Sequence, residues 1–91
     1  MKQDGWRCFL NLCKAAKDEK TLTSLFDLLL THEEKESLET RCLIIKALLD
    51  QEIPQRQISE ALNVSIAKIT RGSNELKRTS PKLKTFLKEH L

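Results

Sequence analysis

The sequence predicts an all-α protein built from six helices. Apolar residues recur every three or four positions along nearly the whole chain, which is the period of an amphipathic helix, and no segment shows the pattern of a strand. The breaks in this period fall at residues that cap helices or favour turns, such as Thr31, Asn63 and Ser80. A chain of 91 residues fits a single domain with a modest core.

The first two predicted helices precede Thr31. The first runs from about Gly5 to Lys17, and the charged stretch 17–20 then breaks the apolar pattern. The second segment is apolar nearly all round, so it must be buried on more than one side; in so small a chain this predicts a dimer interface. The first stripe consists of Trp6, Phe9, Leu10 and Cys13, and the second segment contains Leu22, Leu25, Phe26, Leu28, Leu29 and Leu30.

The third predicted helix is the longest. Thr31 and Glu34 form a capping box at its start, and the helix should run to about Asp50. Cys42 lies within its apolar pattern and is expected in the core. The predicted main stripe is Leu38, Cys42, Ile45 and Leu49, widened by Leu43, Ile44 and Leu48.

The remaining elements begin at Pro54, which suits the first turn of a fourth helix. The segment from Gln55 to Arg71 predicts a helix, a tight turn at Asn63 and a second helix, which Leu76 closes before a loop over residues 77–79. The predicted inward residues of this pair are Ile58, Leu62, Val64 and Ile69. Ser80 and Pro81 then cap a sixth helix, whose apolar face is Leu83, Phe86, Leu87 and Leu91.

Two helices joined by a short turn, with the second presenting polar and basic side chains, fit the DNA major groove. The charge distribution agrees. Residues 1–53 carry 8 Lys/Arg and 10 Asp/Glu, net −2, whereas residues 54–91 carry 8 and 3, net +5. The basic half contains the two-helix motif, as a phosphate-facing surface requires. A basic tail on an ordinary soluble protein is the alternative explanation of the charge alone.

Other classes of protein find little support in the sequence. The three cysteines form no C-x-x-C pair, and reduced thiols in a cytoplasm are expected, with no metal site. No apolar run approaches the roughly 20 residues that cross a membrane. No nucleophile–base pair or carboxylate dyad is visible, and Gly5 and Gly72 are too few for a phosphate-binding loop. We therefore expect a cytoplasmic protein that is not an enzyme.

The segment Ile69-Thr70-Arg71-Gly72-Ser73-Asn74, followed by Leu76-Lys77, resembles the bacterial tryptophan repressor family, and Thr40-Arg41 lies in the matching position upstream. The likeness covers nearly the whole chain without a gap. It implies a six-helix Trp-repressor-like fold and an intertwined homodimer. It further implies that the dimer binds operator DNA when L-tryptophan fills a pocket beside the second helix of the motif. Within one domain, 1–91, we expect a dimerisation core (1–53), the helix-turn-helix (54–76) and a C-terminal helix (80–91).

The resemblance also implies which residues bind the ligand. Arg41 and Arg71 would cover the two faces of the indole, and Arg71 would also pair with the ligand carboxylate. The carbonyls of Leu28 and Leu30, at a helix C-terminus, would accept from the ligand ammonium. For Arg41 alone, a solvated charge on a helix flank is the plainer interpretation.

Three further positions belong to the implied pocket. Thr31 would line it, although capping explains that residue fully. Gly72 would leave room for the ligand to approach the backbone, or would merely weaken the helix. Glu75 stands where the family has a small hydroxyl residue; its carboxylate could pair with the ligand ammonium, repel the ligand carboxylate or point to water.

The DNA face departs from the family at Ser59, Ser65 and Lys68, so a different operator sequence is expected. Arg56 is the best candidate for a bidentate contact to guanine, while Lys68 and Lys77 should hold phosphates. A constitutive DNA-binding protein without ligand gating and a dimerising adaptor are the alternative functions. The predicted DNA contacts are Gln55, Arg56, Ile66, Ala67, Lys68, Thr70, Arg71 and Lys77.

Overall fold

The structure, a computed structural model, describes residues 3–50 and 52–91. These residues form six α-helices and no strand, as predicted. None of the described helices is long and apolar enough to cross a membrane. The chain divides into two compact units, the first ending at Lys35 and the second beginning at Glu36. The helices are α1 (Gly5–Ala15), α2 (Glu19–Leu29), α3 (His32–Leu49), α4 (Gln55–Leu62), α5 (Ile66–Lys77) and α6 (Pro81–His90).

Side-chain caps start five of the six helices. The predicted capping box is confirmed: the Thr31 amide donates to Glu34 Oε1 at 2.9 Å, and the Glu34 amide donates to Thr31 Oγ1 at 3.1 Å. The bond from the Thr31 amide holds the pKa of Glu34 below its ordinary value. The predicted cap at Ser80 is also confirmed. Caps at Asp4, Asp18 and Ser65 were not predicted.

Asp18 corrects the interpretation of the charged stretch 17–20. We expected this stretch to separate helices, but its second half begins α2, because Asp18 accepts from the Thr21 amide at 2.7 Å. This bond lowers the pKa of Asp18. The preceding helix, α1, ends at Ala15 and not at Lys17.

Aromatic contacts join α1 to α2 in the first unit. The ring centroids of Trp6 and Phe9 lie 5.4 Å apart, and those of Phe9 and Phe26 lie 6.0 Å apart. Lys35 Nζ lies 2.9 Å from a carboxylate oxygen of Asp27. No described residue of this unit is fully buried, and Leu28 is 81% exposed. The apolar surface of α2 is thus mostly uncovered in the single chain.

The second unit has a small core at which α3, α4 and α5 meet. Ile44, Ile58 and Ile69 are 4%, 2% and 0% exposed. This confirms the predicted inward positions of Ile58 and Ile69 on the two-helix motif. The half-buried residues packed against the three isoleucines are Ala47, Leu48, Ile53, Leu62 and Val64.

The predicted orientation of α3 is wrong in part. Cys42 was expected in the core but is exposed, and Leu38 is 43% exposed. The core contact runs instead through Ile44 and Leu48, because α4 and α5 pack on that side of the helix. Since both sides of α3 are apolar, periodicity could not tell which side faces the motif.

Smaller corrections concern the ends of the later helices. Pro54 is the N-cap of α4, with an extended ψ of 146°, and does not lie in its first turn; its carbonyl accepts from the Ile58 amide. Lys77 was assigned to a loop but is the last residue of α5. On α6, the predicted apolar face is largely exposed: Leu83, Phe86 and Leu91 are 48%, 54% and 48% exposed.

Gly72 allows α5 to approach α3 closely. A Cβ atom built at this position would lie 3.0 Å from Ile44 Cγ2 and 3.3 Å from Leu48 Cδ1. Ile44 is buried and β-branched, so its methyl group cannot easily move away. The glycine therefore has a packing role in addition to the role implied by the family resemblance.

Thr31→Ala should lower the free energy of unfolding by about 1 kcal/mol, because it removes the hydroxyl that accepts from the Glu34 amide. Urea unfolding followed by circular dichroism measures the change. Thr23→Ala is the matched control, since Thr23 is exposed inside α2 and should lose no stability. Equal losses in the two variants would contradict a capping role.

The same cap should depend on pH. The pKa of Glu34 is lower in the folded chain, so its contribution to stability is complete above 4.5 and is lost as the pH falls through the folded value. The difference in unfolding free energy between the unmodified chain and Thr31→Ala should therefore shrink between about pH 6 and about pH 3. A difference that stays constant over this range would contradict the coupling.

Gly72→Ala should destabilise the chain by about 1 kcal/mol, because overpacking against Ile44 outweighs the helix propensity that alanine gains. Thermal unfolding measures the effect. Gly5→Ala is the control, since nothing lies within 4 Å of a Cβ at Gly5. Equal gains of stability at both glycines would show that the contact with α3 is not tight.

Candidate nucleic-acid interface and ligand residues

One side of α5 packs inward and the rest is exposed. Ile69 is fully buried, and Gly72, Ser73 and Leu76, which lie three, four and seven residues further on, are half-buried. This spacing is one face of a helix. The opposite side of α5 therefore presents its polar and basic residues to solvent.

The predicted DNA contacts fall on this outward side or beside it. Gln55, the first residue of α4, is half-buried, and Thr70 Oγ1 donates to Gln55 Oε1 at 3.3 Å. This bond joins two predicted contacts on different helices, which sequence spacing could not reveal. The exposed predicted contacts are Arg56, Ile66, Ala67, Lys68, Thr70, Arg71 and Lys77.

The turn between α4 and α5 is held by three local features. Asn63 adopts the left-handed conformation, with φ 54° and ψ 49°, as predicted. The Ser59 hydroxyl donates to the Val64 carbonyl, and Ser65 Oγ accepts from the Lys68 amide at 3.3 Å. The position of Ser65 just before a helix was the available signal for its capping role. Two of the three serine and lysine positions that depart from the family thus cap or brace the turn.

The charges of the motif are only weakly neutralised. Arg56 lies 3.8 Å from Glu60, and Arg78 lies 3.6 Å from Glu75; all four side chains are at least 63% exposed. Such pairs contribute about 0–1 kcal/mol. Among the described residues, no carboxylate lies within ion-pair distance of Arg71. The same holds for Lys68 and Lys77, so this surface can attract phosphates.

Four of the predicted ligand residues belong to the second unit. Arg71 immediately precedes Gly72, whose backbone lies against Ile44 on α3. Arg41 lies three residues before Ile44, one turn earlier on the same side of α3. Both arginines are exposed and flank the place where α3 and α5 meet. Glu75 is exposed one turn further along α5.

The other three predicted ligand residues belong to the first unit. Leu28 lies in the last turn of α2, where carbonyls lack helical amide donors, and Leu30 is the C-cap. Such carbonyls remain available as acceptors. The Thr31 hydroxyl accepts from the Glu34 amide, so its plainer role as a cap is present in the structure.

Comparison with known proteins gives concordant matches. The family described as "Trp repressor protein" matches residues 4–91. A protein of Chlamydia trachomatis serovar L2 named "Trp operon repressor homolog" is 46% identical over 90 residues, which cover 99% of this chain and 96% of the relative. Proteins of the same name from Chlamydia caviae and Haemophilus influenzae strain PittEE are 48% and 40% identical. These two alignments cover 94% and 97% of this chain and 85% and 87% of the relatives.

Proposed function

Because this chain belongs to the Trp repressor family, a family of transcriptional regulators and not of enzymes, we propose that it is a cytoplasmic repressor gated by L-tryptophan. As a homodimer with tryptophan beside α5, it binds operator DNA and regulates genes of tryptophan metabolism. The observation that carries this proposal is the outward basic side of α5, which is fixed by the burial of Ile69 on the opposite side.

In the proposed complex α5 enters the major groove. Arg56 contacts a guanine edge, while Lys68 and Lys77 hold phosphates on either side of the groove. The exposure of these three side chains supports the assignment. The hydrogen bond between Thr70 and Gln55 supports it too, because it fixes two contacts relative to each other before DNA binds.

In the proposed ligand site Arg41 and Arg71 enclose the indole, and Arg71 pairs with the ligand carboxylate. The carbonyls of Leu28 and Leu30, together with Thr31, complete the site. The ligand controls the tilt of α5, which matters because half-sites on one face of the duplex repeat at about 34–36 Å. Coupling between ligand and DNA is typically ~1–3 kcal/mol and acts in both directions.

The uncovered apolar surface supports a homodimer. The first unit exposes Leu28 and Leu29, and α3 keeps an apolar stripe with the 4-3-4 spacing of a helix–helix seam. The second unit has an open groove of about 530 Å³ between the end of α3 and the end of α6. A second copy would cover these surfaces. The stripe consists of Leu38, Cys42, Ile45 and Leu49.

Calorimetric titration of the protein with L-tryptophan, without DNA, tests the ligand. We expect saturable binding of one ligand per chain and its loss in Arg71→Ala, because that change removes both the ring contact and the carboxylate partner. Arg7→Ala on α1 is the control and should bind normally. Absence of heat at about millimolar ligand, at two temperatures, would exclude tryptophan as the signal.

Loss of gating is the second candidate function, favoured by the carboxylate of Glu75 on α5. Such a protein binds DNA constitutively. Binding to a duplex selected from random sequences, measured with and without L-tryptophan, separates the two. Gating predicts about 5–150-fold tighter binding with ligand, and constitutive binding predicts no difference.

The same duplex and a scrambled control test the DNA contacts. Arg56→Ala should reduce the preference for the selected sequence by about 1–3 kcal/mol, because it removes a base contact. Lys77→Ala should weaken binding to both duplexes and lower the salt dependence, because it removes a phosphate contact. If both variants lose affinity equally for the two duplexes, this division of roles is wrong.

A further inference from the structure

Arg71 and Glu75 place opposite charges one turn apart on α5. Residues four apart on a helix have Cβ atoms about 5–6 Å apart and lie on the same side. Opposite charges at this spacing commonly pair with each other. Here Glu75 lies 3.6 Å from Arg78 instead, and no described carboxylate lies within ion-pair distance of Arg71. Both charges therefore remain available one turn apart.

We propose that Arg71 and Glu75 together select the zwitterionic head group of a free α-amino acid. Arg71 receives the ligand carboxylate, and Glu75 receives the ligand ammonium. The inference rests on the proposed function, which supplies the pocket and the indole ligand. It adds a specificity: indole compounds that lack the amino group lose one of the two charge contacts.

The chemistry of the head group fits this spacing. The carboxylate and the ammonium of an α-amino acid are attached to one carbon, and the long, flexible side chains of Arg71 and Glu75 can both reach them from one side of a helix. A hydrogen bond between an ammonium and a carboxylate is charge-assisted and is stronger than a neutral one. Backbone carbonyls carry only partial charge, so Glu75 adds a full negative charge that they cannot supply.

The pair between Glu75 and Arg78 does not prevent this role. Its two side chains are 63% and 77% exposed, and exposed pairs of this kind are weak. The pair also draws Glu75 towards the C-terminal end of α5 and away from Arg71. A ligand ammonium can therefore replace Arg78 as the partner of Glu75 without first breaking a pair between Glu75 and Arg71.

Glu75→Gln tests the inference, because glutamine keeps the size of the side chain and removes its charge. Calorimetric titrations use two ligands, L-tryptophan and indole-3-propionate, which lacks the amino group. Glu75→Gln should weaken L-tryptophan binding about tenfold and leave indole-3-propionate binding unchanged or stronger. Glu75→Asp, which retains the charge, should bind L-tryptophan more tightly than Glu75→Gln.

Glu60→Gln is the matched control. Glu60 is likewise an exposed glutamate of the motif that pairs with an arginine, but it lies on α4. Its loss should change the affinity for neither ligand. Circular dichroism at the titration temperature checks that each variant is folded.

The outcomes separate the inference from the proposed function. If the unmodified protein binds L-tryptophan but Glu75→Gln weakens both ligands equally, or neither, the zwitterion assignment is overturned and the tryptophan proposal stands. Tighter L-tryptophan binding by Glu75→Gln would also overturn it, since Glu75 would then repel the ligand carboxylate. If the unmodified protein does not bind L-tryptophan, the tryptophan proposal fails, and the inference with it.

Discussion

The contact of Ile44 with Ile58 and Ile69 is the constraint on which the rest of the second unit depends. These three side chains are the fully buried residues of the described chain, and each comes from a different helix. Their contact fixes α4 and α5 on α3. With Ile69 inward, Lys68 and Arg71 must face outward, since their side chains emerge about 100° away around the helix. The exposed basic surface is thus a geometric result of one apolar contact.

Close approach at Gly72 extends this contact along α5. Because a glycine lies against Ile44 and Leu48, the two helices meet with no side chain between them. Arg41 and Arg71 stand at the edges of this meeting point. A ligand that bound between such arginines would press on the same junction that orients α5, which gives a physical route from ligand occupancy to helix tilt.

Local signals in the sequence predicted much of the fold. Thr31 and Glu34 form a pattern three residues apart, and Asn63 tolerates a left-handed backbone, so both features follow from nearby residues. Ile58 and Ile69 could be placed in the core because polar residues surround them on their helices. The caps at Asp4 and Asp18 had equally local signals, but the charged neighbours of Asp18 were interpreted as a break.

What the sequence could not predict depends on contacts between distant residues. The apolar sides of α3 are nearly equivalent, so Cys42 was placed in the core although Ile44 occupies it. The hydrogen bond of Thr70 to Gln55 joins residues fifteen positions apart, and no local pattern indicates it. The grouping of the candidate site had the same limit. Arg41 and Arg71 were paired through family resemblance, whereas their position beside Gly72 required the packed helices.

The small private core has a consequence for how the cell controls the amount of this protein. A chain that buries three side chains completely gains most of its stability from assembly, so with the second copy proposed above, folding becomes concentration-dependent. Dilute chains are then largely unfolded and open to proteases, whereas concentrated chains are protected. Since dimers form with the square of the chain concentration, a modest fall in synthesis removes a larger share of the assembled protein. Turnover would thereby sharpen any response to a change in its expression.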